Sequence, residues 1–171
     1  MAHGRGARAT HTGATTLESP RILSPRSCRT ALAAVLLAGF VGHLLYLKYA
    51  CPFGLTGDEA QYWDWSRQLD LSYYSKGPLV AWILRASCAT FGDTMLAVRL
   101  PALLLAAGTS LCMYWLARKL FGSERLALSA VLLSYTIPLF VAGSVLMTID
   151  SPMVFCWGLA TCLVAKSLVD D

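Results

Sequence analysis

The sequence predicts an all-α membrane protein with about four transmembrane helices and two interfacial helices in its first outer loop, on three observations. Hydrophobic residues make up 56% of the 171 and charged residues only 14%, with a mean hydropathy of +0.55, more apolar surface than a soluble domain of this length can bury. The apolar residues gather into runs close to the thickness of a hydrocarbon core. Basic residues gather at one set of run ends, the pattern that holds positive loops in the cytoplasm. A net charge of +4 distributed in this way speaks for membrane orientation and against a nucleic-acid partner.

Residues 1–29 hold Arg5, Arg8, Arg21, Arg26 and Arg29 against the single acid Glu18, with Ser19-Pro20, Ser24-Pro25 and almost nothing to bury. This composition predicts a disordered basic tail on the cytoplasmic side. From Thr30 to Leu47 the apolar run predicts the first span, over residues 30–47. A cleaved signal peptide is the competing reading, and Lys48 opposes it by standing where a small residue is wanted before a cut after Ala50. His43 reads as a packed histidine inside the span.

Cys51-Pro52-Phe53-Gly54 breaks the helix and opens an outer loop, residues 51–100. Thr56-Gly57-Asp58-Glu59 has the spacing of a capping box, which predicts a short helix to about Leu69 lying in the interface with its rings at headgroup level. Acids in a first turn are favoured by the exposed amides alone, and that reading suits Glu59 better than Asp58. Pro78 then starts a second short helix, to about Phe91. Its run of about 14 residues contains Arg85, whose charge at the centre of a span would cost about 2.5–3.5 kcal/mol, so this helix is read as resting on the bilayer without crossing it.

That decision sets the parity of everything downstream. Pro101 to about Leu116 becomes the second span (101–116), ending at Arg118, Lys119 and Arg125. Residues 126–147 form the third, with Pro138 as a kink, and 152–168 the fourth. Asp150 then returns to the membrane face that carries Asp58. Helix capping is the plain alternative for an acid placed before Pro152. The six cysteines, Cys28, Cys51, Cys88, Cys112, Cys156 and Cys162, form no CxxC pair; only Cys51 and Cys88 fall where an oxidising compartment could join them, and their pairing is left open.

The ordered set Asp58-Glu59-Ala60-Gln61-Tyr62-Trp63, Tyr73-Tyr74-Ser75-Lys76-Gly77-Pro78, Phe91-Gly92-Asp93, Val98-Arg99-Leu100-Pro101 and Thr148-Ile149-Asp150-Ser151-Pro152 resembles the amino-terminal part of the GT-C glycosyltransferases. Within that superfamily it is similar to the bacterial relatives of protein O-mannosyltransferases and of the lipid A aminoarabinose transferase. The resemblance implies transfer of a sugar from a polyprenyl-phosphate donor to an acceptor at the outer face of the membrane, in a bacterial inner-membrane protein with a cytoplasmic amino terminus. It maps the catalytic carboxylate onto Asp58, a second active-site carboxylate onto Asp150, and the lysine that contacts donor phosphate onto Lys76. Glu59, Tyr62, Trp63 and Tyr74 are candidate substrate or interface contacts.

This chain departs from the aminoarabinose transferase at Gln61, where that enzyme has arginine, and at Ser75, where it has an acid. Its phosphate and metal contacts are therefore not carried over, and a divalent metal is left open as a cofactor. The expected partners are the polyprenyl-phosphate sugar lipid and membrane lipid. Superfamily members have many more spans than four, which implies a truncated fragment or a protein completed by a second polypeptide. A non-catalytic membrane subunit or remnant is the alternative function. A small transporter is a third reading, opposed by the clustering of charges outside the helices.

Overall fold

The computed structural model describes residues 24–74 and 76–170, with the side chains of 169 and 170 excepted. Seven α-helices appear among them: α1 (Pro25–Leu45, continued by a π-helical turn, Tyr46–Ala50), α2 (Gly57–Arg67), α3 (Leu79–Phe91), α4 (Met95–Phe121), α5 (Glu124–Ser134), α6 (Pro138–Val145) and α7 (Asp150–Asp170). Three segments are long and apolar enough to cross a membrane, Pro25–Ala50, Met95–Phe121 and Asp150–Leu168, and the number is four when the bent pair α5–α6 is counted as one broken span. The protein is an all-α integral membrane protein, with α2 and α3 as two short helices between its first two long apolar segments.

Several boundaries differ from the sequence reading, each for a local reason. The disordered tail expected over 1–29 falls, for residues 1–23, outside the described residues; its end is helical. Ser24 caps α1 by accepting the Ser27 N–H at 3.2 Å, and Pro25 occupies the first turn, so Ser24-Pro25 is a helix start. α1 with its π turn therefore outruns 30–47 at both ends. All six cysteines are free thiols, Cys51 and Cys88 included.

α4 begins at Met95, not at Pro101. Thr94 caps it by accepting the Ala97 N–H at 3.1 Å, and Pro101 sits inside the helix. A proline there removes the donor that the Ala97 carbonyl would otherwise receive. Ser87 of α3 replaces it, its hydroxyl donating to the Ala97 carbonyl at 2.6 Å. The far end of α4 closes on Gly122, whose left-handed φ of 62° suits glycine and whose N–H returns to the Arg118 carbonyl.

The single third span expected over 126–147 is two helices bent by 75°. Pro138 has no N–H to give, and Ile137 before it is extended (φ −88°, ψ 115°), the conformation a following proline favours. Hydroxyls of Ser134 and Thr136 donate to the carbonyls of Val131 and Leu133, each at 2.7 Å, so part of the break is satisfied from within.

α4 is the axis of the bundle, packing against α1, α3, α5, α6 and α7. At one end Glu124 gathers Arg29 (2.8 Å), Arg118 (2.9 Å) and the Tyr114 hydroxyl, over a core that includes Cys28, Leu32, Ala117, Leu128 and Val131. At the other, Arg99 meets Cys51 and Glu59, and Glu59 meets Met147, over a core of Tyr62, Val80, Leu84, Val98 and Met147 among others. Arg99 and Arg118 are about 28 Å apart along a helix rising 1.5 Å per residue, close to a bilayer's hydrocarbon thickness. α1 thus runs antiparallel to α4 between those two ends, and the bent pair α5–α6 leads the chain back from the Glu124 end to the Met147 end. α7 runs parallel to it, from Asp150 past the approach of Phe155 to Gly108.

Candidate functional site

At the Arg99 end the site is built on the first turn of α2. Thr56 accepts the Glu59 N–H at 3.4 Å while Glu59 accepts the Thr56 N–H at 3.0 Å, completing the capping box. Glu59 faces inward and is fully buried. Arg99 reaches it with two charge-assisted bonds, Nε to Oε1 at 2.9 Å and Nη2 to Oε2 at 2.7 Å. The Met147 N–H also donates to Oε1, at 3.2 Å. Burial alone would raise the Glu59 carboxyl, but the bonds from Arg99 and from the Thr56 and Met147 amides outweigh it and hold the group below its ordinary value. Expected as a candidate substrate contact, Glu59 spends its oxygens on the protein instead.

Asp58, one residue earlier, points the other way. It is exposed, and among the described residues none donates a hydrogen bond to its carboxylate. Such a group is open to a ligand.

Tyr73-Tyr74-Ser75-Lys76 forms a tight turn closed by Tyr73 N–H to Lys76 carbonyl (3.1 Å) and Lys76 N–H to Tyr73 carbonyl (2.6 Å). Ser75 itself lies outside the described residues. The Tyr73 ring stacks on Trp65 at 4.7 Å, and its hydroxyl donates to the Gln68 carbonyl at 2.8 Å while accepting the Asp70 N–H at 2.8 Å. This latch fixes the turn against α2. Lys76 then extends over Tyr62, Nζ donating to the phenol oxygen at 2.5 Å and lying 4.9 Å from the ring centre. The Tyr62 bond holds the Lys76 ammonium above the ordinary lysine value against a smaller loss from desolvation, and the charges of Asp58 and Asp150 raise it further.

Asp150 is the first residue of α7 and exposed; its N–H meets the Thr148 hydroxyl oxygen at 3.3 Å. Through Met147 its turn is tied to Glu59, and through space its charge acts on Lys76. The structure therefore brings Asp58, Lys76 and Asp150 to one end of the bundle. From Asp150 a groove of about 520 Å³ descends between α4, α6 and α7, lined by Ala106, Met113, Leu139, Phe140 and Val154 among others. Its walls are mostly apolar.

The remaining candidates divide. Tyr62 is buried and meets Lys76 through both its hydroxyl and its ring. Trp63 is half-buried, with Nε1 3.4 Å from Asp93 and the Arg67 guanidinium 5.1 Å from its ring. Tyr74 stands wholly exposed at the turn's tip with φ of 31°, an unfavourable backbone for a residue with a Cβ. Among the described residues no group of three or more His, Cys, Asp and Glu side chains converges as a metal site.

Arg99 was not among the candidates. Its signal was a lone cation in an otherwise apolar run, and its partner was the Glu59 already assigned to a cap.

Residues 75–171 match the model of the dolichyl-phosphate-mannose-protein mannosyltransferase family. A stretch of 68 residues, 39% of this chain, is 41% identical to the lipid A galacturonosyltransferase RgtD of Rhizobium johnstonii. The alignment takes in 14% of that relative's length. No solved structure matches significantly. Lys76, Arg99 and Asp150 lie inside the family match; Asp58 and Glu59 precede it.

Proposed function

Because this chain belongs to the dolichyl-phosphate-mannose-protein mannosyltransferase family, we propose that it forms the catalytic end of a membrane glycosyltransferase using a polyprenyl-phosphate sugar. The observation that supports this reading is the placing of two exposed carboxylates, Asp58 and Asp150, at the same end of the bundle as Lys76 and beside an apolar groove. The family description and the relative's name, a mannosyltransferase and a galacturonosyltransferase, agree on glycosyl transfer.

Asp58 is the general base. It takes the proton of an acceptor hydroxyl as that oxygen attacks the anomeric carbon, the sugar–phosphate C–O bond breaks on the opposite side, and polyprenyl phosphate departs with the electron pair. One displacement inverts the anomeric centre, by analogy with inverting glycosidases. Lys76, an ammonium at neutral pH held over Tyr62, balances the charge that develops on the leaving phosphate. Asp150 binds the sugar or the acceptor hydroxyl from the other side. The isoprenoid chain lies in the groove below Asp150, where an apolar wall replaces lipid.

In this reading the end marked by Arg29, Arg118, Lys119 and Arg125 faces the cytoplasm, as the positive-inside rule favours, and the site faces outward from a bacterial inner membrane.

The test is release of polyprenyl phosphate from polyprenyl-phosphate hexose or hexuronic acid donors in membranes that carry the chain. Asp58→Asn should lower turnover by about 10² to 10⁴, the contribution of a positioned base. Undiminished turnover in that variant overturns the assignment.

A further inference from the structure

We infer that Glu59 and Arg99 are positioning residues that set the separation of Asp58 from Asp150, an inference that takes the roles of those two aspartates from the function proposed above. Glu59 is covalently next to Asp58. Its Oε1 accepts the N–H of Met147, three positions before Asp150, and among the described residues this is the one side-chain hydrogen bond between α2 and the turn leading into α7. A single buried carboxylate therefore touches the backbone that carries each aspartate.

Arg99 fixes that carboxylate. Its fork occupies both oxygens, at 2.9 and 2.7 Å, and Nη2 also donates to the Gly54 carbonyl at 2.9 Å while Nη1 lies 3.2 Å from Cys51 Sγ. Both side chains are buried, at 2% and 0% exposure. In that setting an ion pair is not the cheapest filling, since apolar residues of similar volume are often as stabilising or more so. What the pair supplies is direction. A planar guanidinium permits one orientation of the carboxylate, and that orientation aims Oε1 at Met147. The loop after α1, the start of α2, the start of α4 and the approach to α7 are thereby held to one point beneath the two aspartates.

The experiment measures the distance between spin labels introduced through unnatural amino acids at positions 58 and 150 of the full chain in lipid nanodiscs. With Glu59 and Arg99 intact the distribution is narrow. Arg99→Gln and Met147→Pro should each broaden and lengthen it while circular dichroism keeps its helical signal, and Arg99→Lys should restore part of the narrow component. Met147→Pro leaves the ion pair in place and removes one N–H, and the extended Leu146 before it (ψ 128°) accepts a following proline. It carries the test if Arg99→Gln does not fold. In the unlabelled protein Arg99→Lys should lower kcat by about 10²-fold, the cost of an ångström-scale misplacement, with KM within about twofold. An unchanged narrow distribution in Met147→Pro overturns the inference. Because the distance is read without turnover, that failure is separate from a failure of Asp58 as base.

Discussion

The hydroxyl of Ser87 donates to the carbonyl of Ala97 at 2.6 Å, and both residues are buried. Ser87 on α3 thus supplies the donor that Pro101 denies to its own helix. Ser87→Ala should strand that carbonyl and cost about 1–3 kcal/mol, measured as unfolding in mixed micelles. Adding Pro101→Ala restores the helical N–H and should recover most of the loss. A double variant no more stable than the single one would show that the bond contributes nothing.

Stability should depend on pH through Glu59. Its folded carboxyl sits below the ordinary value of 4.5, so the unfolded chain binds the proton more readily and stability rises with pH across that window. The contribution is complete above 4.5 and is lost as pH falls through the lower folded value. Glu59→Gln should flatten the acid limb of a curve of unfolding midpoint against pH. At neutral pH Arg99→Ala should cost about 3–5 kcal/mol, since it leaves a buried carboxylate unpaired. An acid limb unchanged in Glu59→Gln would assign it to other groups.

Lys76→Ala should weaken donor phosphate binding and slow departure of the leaving group, while Lys76→Arg keeps the charge and should retain more activity. Tyr62→Phe removes the hydrogen bond to Nζ without moving a ring that is 1% exposed. It should leave folding intact and raise KM for the donor. Steady-state kinetics against donor concentration checks both. Wild-type kinetics in Lys76→Ala would remove this residue from the site.

A methyl group at Gly108 would lie 2.6 Å from Cε2 of Phe155, where α4 and α7 approach. Gly108→Ala should cost about 1–3 kcal/mol through overpacking. Gly108→Ala with Phe155→Leu should be better tolerated than the two single changes predict. Additivity of the pair in thermal unfolding would show that the helices do not meet there.

Much of this architecture could be read from local signals. Thr56 and Glu59 announce α2 because a capping box is written in four consecutive residues, and the return of Asp150 to the end that holds Asp58 follows from counting apolar runs. The errors have both distant and local causes. Pro101 reads as a helix start until Ser87 is known to replace its missing donor. Ser24-Pro25 reads as loop until the amide of Ser27 is seen to need a cap. Residues 126–147 read as one kinked span because a proline's position is visible in sequence, while the size of the bend, 75°, is not. Glu59 reads in sequence as a cap or as a ligand contact, and its ion pair is not legible there because Arg99 comes 40 residues later.

That interval has a consequence for how the protein is made. Synthesis proceeds from the amino terminus, so Glu59 leaves the ribosome before its cation exists, and α4 must later enter the bilayer with Arg99 near its leading end. An isolated arginine in a span costs about 2.5–3.5 kcal/mol at mid-membrane on the translocon scale and less near an edge, which a helix of hydropathy 1.7 can absorb. Once α4 is in place, the carboxylate receives that cation at the end of the bundle where α2 and α3 sit. Neutralisation of this buried carboxylate thus waits on the insertion of a helix made later in the chain.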